Sequence, residues 1–336
     1  MQEKIQIEKQ YNKILEDNGG RVAEKARRIL LEDPAIKELR PPLEFISETW
    51  RDLFTPSLMG LSCEAVGGSS VATYEAALAM SLMNLSVYIW DDIIDKASTK
   101  LFRPTLFGKF GEGTAIIIGG LASAKAFAIL NQTKVDRTKL QTITDLFWNL
   151  WAKVAIAETK NMKMRSQKKL SSKSKLRKIT MEASDTETCL EIGALIGEGT
   201  ENEIRHLGRY GQLLGIAVEL RKDFHVSTNL TLELPEKIRS GAIPYFLLWA
   251  SERSEKIRKK LADLPNIANI EQSYIREIVK EALETNMFDN ALKKISRLTK
   301  KAGEELGELN SNNATQTLRF LADAQPSLFV GSLPSM

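Results

Sequence analysis

From Ala76 to Trp90 the chain carries no charged residue, and it then places three aspartates within five positions, Asp91-Asp92-Ile93-Ile94-Asp95. The uncharged run reads as a helix buried on every side. Asp91 and Asp95 are four apart and share one face of it, and Asp92 lies beside that face. Carboxylates held so close repel one another, and beside a core they also lose solvation. Any fold of this chain must therefore bring something cationic to the end of a buried helix. Oxygen ligands suit hard cations, and Mg2+ commonly joins one or two carboxylates to the phosphates of a substrate. The pattern suggests a metal–diphosphate site at the mouth of an apolar helical pocket. The plainer alternative is a solvated helix end with three acids.

The remainder of the sequence fits a helical protein. Apolar residues recur at spacings of three and four almost throughout, and strand-type alternation is hard to find, so an all-α fold is expected. A chain of 336 residues can bury a large core, and 43% hydrophobic with 27% charged residues is ordinary for a globular protein. Cys63 and Cys189 are the only cysteines, and with two histidines they form no zinc spacing, which makes a reducing, cytoplasmic setting the default. The N-terminus opens on charge, without a signal peptide's apolar centre. The uncharged stretch near residues 76–90 is shorter than the roughly 20 residues that span a bilayer. A net charge of +4 is too small to argue for nucleic acid.

Residues 1–45 read as a charged helical extension, with a break at Asn18-Gly19-Gly20 and a stop at Arg40-Pro41-Pro42. Residues 46–325 form the main helical domain, and the tail 326–336 is expected to fray. Within the domain, a helix over Leu58–Val66 ends at Gly67-Gly68. Arg103-Pro104-Thr105 marks a loop before the small-residue-rich stretch Gly113–Leu130. A further helix covers 139–159, with Trp148 and Trp151 expected in the core. From Lys160 to Lys178 there are nine basic residues and no acid, either a solvated loop or an anion-handling lid. A helix over Thr188–Ile196 and a long one over Glu201–Val226 follow.

Taken in order, these landmarks resemble the trans-isoprenyl diphosphate synthases, the polyprenyl synthetase group, over roughly residues 50 to 300. Gly67-Gly68 falls where that family has a glycine pair before its first aspartate motif, and Asp91-Asp92-Ile93-Ile94-Asp95 resembles the motif itself. Arg103-Pro104-Thr105 is similar to the segment after it. Ile192-Gly193-Ala194-Leu195 looks like the family's L-G-A-L turn, and Tyr210-Gly211 with Leu214-Gly215 matches the approach to the second aspartate motif. Leu234-Pro235-Glu236-Lys237, with Ser240-Gly241 and Pro244, is similar to the later loop. The resemblance implies a class I isoprenoid synthase bundle around a central apolar cavity, Mg2+ as cofactor, an allylic prenyl diphosphate as substrate, and a homodimer formed through helices around residues 114–160.

The departures matter as much. Where the family's second motif reads F-Q-x-x-D-D-x-x-D, this chain has Val218-Glu219-Leu220-Arg221-Lys222-Asp223-Phe224-His225-Val226. Only Asp223 survives. Lys222 either contacts the diphosphate where a metal would sit or marks an unused site. Where G-G-K-R-L-R-P would hold isopentenyl diphosphate, the chain reads Trp50-Arg51-Asp52-Leu53-Phe54-Thr55-Pro56, and the paired arginines after the first motif become Lys100 and Leu101.

By this resemblance Asp91, Asp92 and Asp95 carry the metals, with Asp223 as a residual ligand through water. Lys100, Arg103, Lys178 and Lys222 hold the diphosphate. Ser86, Val87 and Met83, just upstream, line the chain pocket, and the small residues there suggest a deep one. Three functions are consistent with this: a diverged prenyltransferase using isopentenyl diphosphate or another acceptor, a terpene synthase acting on one allylic diphosphate, and a non-catalytic partner subunit. The basic stretch lacks the interleaved aromatics of single-strand binders, so nucleic acid is not expected, while peripheral contact with an anionic membrane is.

Overall fold

In the computed structural model, which describes residues 2–100, 103–166, 171–228, 233–239, 241–264, 267 and 271–330, the chain is a bundle of α-helices. They are α1 (Gln2–Arg28), α2 (Arg40–Thr49), α3 (Phe54–Ala65), α4 (Tyr74–Ile94), α5 (Leu106–Leu130), α6 (Arg137–Ser166), α7 (Ser172–Glu182), α8 (Ser184–Ile196), α9 (Glu201–Thr228), α10 (Glu233–Arg239), α11 (Tyr245–Ser251), α12 (Glu255–Asp263), α13 (Gln272–Glu284), α14 (Met287–Glu305) and α15 (Asn313–Val330). Two antiparallel strand pieces, β1 (Thr99–Lys100) and β2 (Arg103–Pro104), join α4 to α5. Leu101, Ser240, residues 167–170 of the basic stretch and residues 331–336 lie outside the described residues.

The layers follow from the apolar faces. α4 packs on α5, α3 on α8, α8 on α9 and α9 on α14, with α1 lying across α3 and α15. The apolar interior forms three clusters: one around α4 and α5, one around α9 and α11–α14, and one that ties α1 to α3, α9 and α15. α4 has the burial its composition demands, with Leu78, Met80, Leu82, Leu85 and Ile89 all almost inaccessible. By length and composition α4 and α5 are both apolar enough to cross a membrane, α4 with its preceding turn included, which corrects the expectation that no stretch reaches that length.

Several local expectations are corrected. α1 runs unbroken through Gly19-Gly20, because Gly19 is a contact and not a break: a Cβ there would fall 2.5 Å from the Leu53 carbonyl oxygen and 2.6 Å from Ser57 Oγ. Arg40-Pro41-Pro42 starts α2 and does not stop a helix, since proline is tolerated where the first turn's N–H groups have no partner. Within the first 45 residues, Tyr11, Leu15, Val22 and Leu30 are buried in the shared core. At the other end α15 continues through Pro326 to Val330 with Phe329 fully buried, so fraying does not begin at 326. Ile192–Leu195 lies inside α8, and the turn comes at Gly197, which meets Gly68 so closely that a Cβ on Gly68 would lie 2.5 Å from the Gly197 Cα. Trp148 is 63% exposed, while Trp151 packs against Trp90 with ring centroids 5.3 Å apart.

Candidate active site

α4 ends where the sequence placed its carboxylates. Asp91 lies in the last turn and Asp95 is the C-cap residue, and both line a polar cleft of about 170 Å³. The opposite walls come from α7 (Lys175, Lys178, Glu182), α9 (Glu219, Lys222, Asp223, Val226), α10 (Lys237) and the segment before α11 (Ala242, Pro244). A larger groove of about 590 Å³ lies between α14 and α15, lined by Ser296, Thr299, Arg319 and Asp323, and holds none of Asp91, Asp92 and Asp95.

Each acid is matched to a cation. Asp92 is turned inward, 1% exposed, and Lys100 Nζ lies 2.5 Å from its Oδ1 and 3.7 Å from Asp91 Oδ2. The same ammonium sits over the Tyr88 ring, 4.6 Å from its centroid. Asp95 meets Arg165, at the end of α6, with Nη1 2.6 Å from Oδ1, and Lys237 lies 3.9 Å from Oδ2. Asn161, one turn back, accepts from Arg165 at 2.9 and 3.0 Å once its amide is oriented to suit, which fixes the guanidinium. Lys178, 6% exposed, is held between Glu158 of α6 and Glu182, the latter at 2.8 Å.

The charges set one another's ionisation. Burial opposes charge on Asp91, but Lys178, Lys100, Lys237 and Lys175 together outweigh it and bring the carboxyl down to about 2. Burial wins at Asp92 and lifts it to about 6 in spite of Lys100. Burial would lower Lys100 and Lys178, yet the surrounding acids raise both well above the usual lysine range. Lys175 goes the other way, lowered by burial and by the neighbouring Lys178.

Not every anticipated residue reaches the cleft. Arg103 is exposed on β2 and does not line it. Lys222 lines it with a side chain 61% exposed and pairs with Glu219 at 2.7 Å. Asp223 caps α11, with its Oδ2 accepting from the Tyr245 N–H at 2.8 Å and its Oδ1 from the Phe246 N–H at 3.1 Å. Ser86 and Met83 are buried in the packing around α4, and Val87 is half-buried. Ser86 Oγ donates to the Gly119 carbonyl of α5 at 2.9 Å, so its small side chain serves a close helix contact where a deep pocket was expected. Arg165, Lys175, Lys237, Glu158 and Glu182 were not singled out as site residues. The first two belong to the basic stretch, whose anion-handling alternative anticipates them.

The donor set fits Mg2+ in one half only. Asp91 and Asp95 offer two carboxylates to the cleft, enough for Mg2+ when a diphosphate supplies further oxygens. Among the described residues no three His, Cys, Asp or Glu side chains converge as a metal cage. On the α9 side an ammonium, a carboxylate paired with it (Glu219), a carboxylate already engaged by backbone and a valine offer a metal little.

Known proteins resemble this chain in sequence and in fold. A geranylgeranyl diphosphate synthase of Methanosarcina mazei is 26% identical over 61% of this chain, and the chain spans 65% of that protein's length. One from Sulfolobus acidocaldarius is 25% identical over 80% of the chain and 84% of its own. The crystal structure of geranylgeranyl pyrophosphate synthetase from Pyrococcus horikoshii superposes with a TM-score of 0.81 at 20% identity, covering 94% of this chain and 97% of the other, which establishes the all-α fold. The polyprenyl synthetase family model matches residues 49–282, more than half of the sequence, and the chain belongs to the polyprenyl synthetase family.

Proposed function

We propose that this chain is a prenyltransferase that ionises an allylic prenyl diphosphate seated in the cleft at the end of α4. The observation that carries the proposal is the convergence of Asp91 and Asp95 with Lys175, Lys178, Lys222 and Lys237 around one polar cavity. Family membership and the geranylgeranyl diphosphate synthases among its relatives support a prenyl diphosphate as substrate. Asp91 and Asp95 would hold Mg2+, which when bound withdraws charge from the leaving-group oxygens as a Lewis acid.

The chain's own residues do the rest. Lys100 and Lys178 keep Asp91 ionised, so it meets a cation without first losing a proton. As the allylic carbon–oxygen bond breaks, both electrons leave with the pyrophosphate, and the ammonium groups of α7, α9 and α10 stabilise that charge. The buried apolar face of α4 below the aspartates keeps water from the allylic cation.

The acceptor is less conventional. Arg51 forms an exposed pair with Glu16 on α1 at 2.7 Å, and Asp52 accepts from the Thr55 N–H at 3.1 Å, with Asn84 Nδ2 3.4 Å away. The segment that would hold isopentenyl diphosphate thus presents one acid and a single guanidinium where several basic residues are expected. This favours an acceptor other than isopentenyl diphosphate, or, as a second reading, a one-substrate terpene synthase. The deciding experiment incubates the protein with Mg2+ and allylic diphosphates of increasing length, with and without isopentenyl diphosphate, and reads products by mass spectrometry. Release of pyrophosphate that disappears in Asp91→Ala supports ionisation in the cleft. A longer diphosphate formed only with isopentenyl diphosphate shows elongation, and a hydrocarbon or alcohol from the allylic substrate alone shows a terpene synthase. No turnover in any mixture, with any acceptor, overturns the proposal.

A further inference from the structure

We propose that the half of the cleft built by α7, α9 and α10 seats a diphosphate on ammonium groups, Lys175, Lys222 and Lys237, in place of metal ions. The proposal rests on the prenyl-diphosphate reading of the cleft and deepens it.

The acids facing this half already have partners. Glu219 is engaged by Lys222, Glu182 by Lys178, and Asp223 by two backbone N–H groups. Lys175 lines the same cavity, half-buried, and makes no ion pair with any described residue. Burial and the adjacent Lys178 push its pKa down in spite of the pull of Glu182 and Asp223. Lys222 is mostly exposed, and an exposed lysine–glutamate pair is worth little, so its ammonium can turn from Glu219 to a guest at small cost. Lys237 lines the same cavity, 3.9 Å from Asp95. The guest must be a compact polyanion with several oxygens, because one oxygen cannot meet ammonium groups arriving from three helices. A diphosphate, free or as the head of a prenyl ester, has that chemistry, and lysine binds it as a point charge without demanding bidentate geometry. Lysines would do here what a second set of metal ions would do, and they need no free divalent cation.

The test is binding of sodium pyrophosphate by isothermal titration calorimetry in EDTA, with orthophosphate and an allylic diphosphate as parallel titrants. Saturable pyrophosphate binding is expected without metal, with orthophosphate at least tenfold weaker. Lys175→Gln and Lys222→Gln should each weaken pyrophosphate at least tenfold, and Lys175→Arg should restore most of the loss. An allylic diphosphate that binds in EDTA with the same dependence on Lys175 identifies the ester head as a guest, and one that does not identifies free pyrophosphate. Pyrophosphate heat that appears only after Mg2+ is added overturns the proposal, as does binding in EDTA that Lys175→Gln and Lys222→Gln leave unchanged. Equal binding of orthophosphate overturns the diphosphate assignment. The outcome is separable from that of the proposed function: pyrophosphate bound in EDTA by a protein that transfers no prenyl group leaves this inference standing and removes the other, while prenyl transfer with strictly Mg2+-dependent pyrophosphate binding does the reverse.

Discussion

Lys100 carries more than its position on a two-residue strand suggests. Asp92 is 1% exposed and the Lys100 ammonium is the cation beside it. Removing one partner of a buried pair leaves the other charge without compensation, which costs about 3–5 kcal/mol in measured cases. Lys100→Met should therefore lower the unfolding free energy by about 3 kcal/mol in urea titrations at neutral pH, and a loss under about 1 kcal/mol would mean the pair is open to water. A second residue reports pH. Glu191 on α8 is pushed up to about 7 by burial and by Glu187, against the pull of Lys153, and its carboxylate end lies 2.8 Å from where a Cβ on Gly208 of α9 would be. With a folded-state value above the ordinary 4.5, the native protein holds more protons than the unfolded chain between those two values. Its stabilising contribution is complete below the lower value and lost as pH rises through the upper one. Glu191→Gln should flatten the fall in melting temperature between pH 5 and pH 8, a difference on the order of 2 kcal/mol. Parallel curves for the two proteins would show that Glu191 ionises freely.

Among the elements, α8 and α11 show where a sequence can be read and where it cannot. Gly193 sits mid-helix against α3, and an added Cβ would fall 2.3 Å from the Met59 carbonyl oxygen. Gly193→Ala should cost about 2 kcal/mol through overpacking, although alanine is the better helix former; a neutral or stabilised variant in thermal melts would refute the close crossing. At α11, Asp223→Ala removes the acceptor of two first-turn N–H groups and should cost about 1–2 kcal/mol. The loss should be equal with Mg2+ and with EDTA, whereas a loss confined to Mg2+ would return Asp223 to the metal site. The all-α fold was legible because helical periodicity is local, and Asp91 and Asp95 were legible because the buried helix and its acidic end are contiguous. The break expected at Gly19-Gly20 failed because glycine there provides room for a neighbouring helix, a fact held by Leu53 and Ser57 and not by the residues beside it. The capping role of Asp223 was hidden for the same reason, since its partners are more than twenty residues further on. Arg165 and Lys175 sat in a basic run that reads equally as a solvated loop until α6 and α7 are placed across the end of α4.

For the molecule as a whole, we predict assembly through exposed apolar residues of α5 and α6. α5 turns Ile118, Ala122 and Ala126 toward the core and leaves Ile116 and Ile117 about half exposed, with Gly113 and Gly120 open on the same stripe. α6 adds Trp148, Ile156 and Met162, at 63%, 48% and 43% exposure, and Phe127 of α5 meets Phe147 of α6 with centroids 5.4 Å apart. Exposed apolar side chains on two successive helices are what an interface would use, and a two-fold homodimer is the commonest way to cover such residues. The family resemblance places its dimer contact on these same helices, so we expect a mass in solution of twice 37.6 kDa by light scattering. Like charges introduced on the two helices, Ile117→Lys with Trp148→Lys, should yield monomers at micromolar concentration. A wild-type protein that remains monomeric as concentration rises refutes the dimer, and vesicle binding by that monomer would indicate that lipid covers the face. The interface also bears on the site, because α4, which carries the aspartates, packs its other side on α5 through Ser86 and Trp90 against Gly119. The monomeric variant should therefore bind pyrophosphate more weakly than the wild type with every cleft residue intact, since the face that fixes α5 also fixes the helix that ends at Asp91.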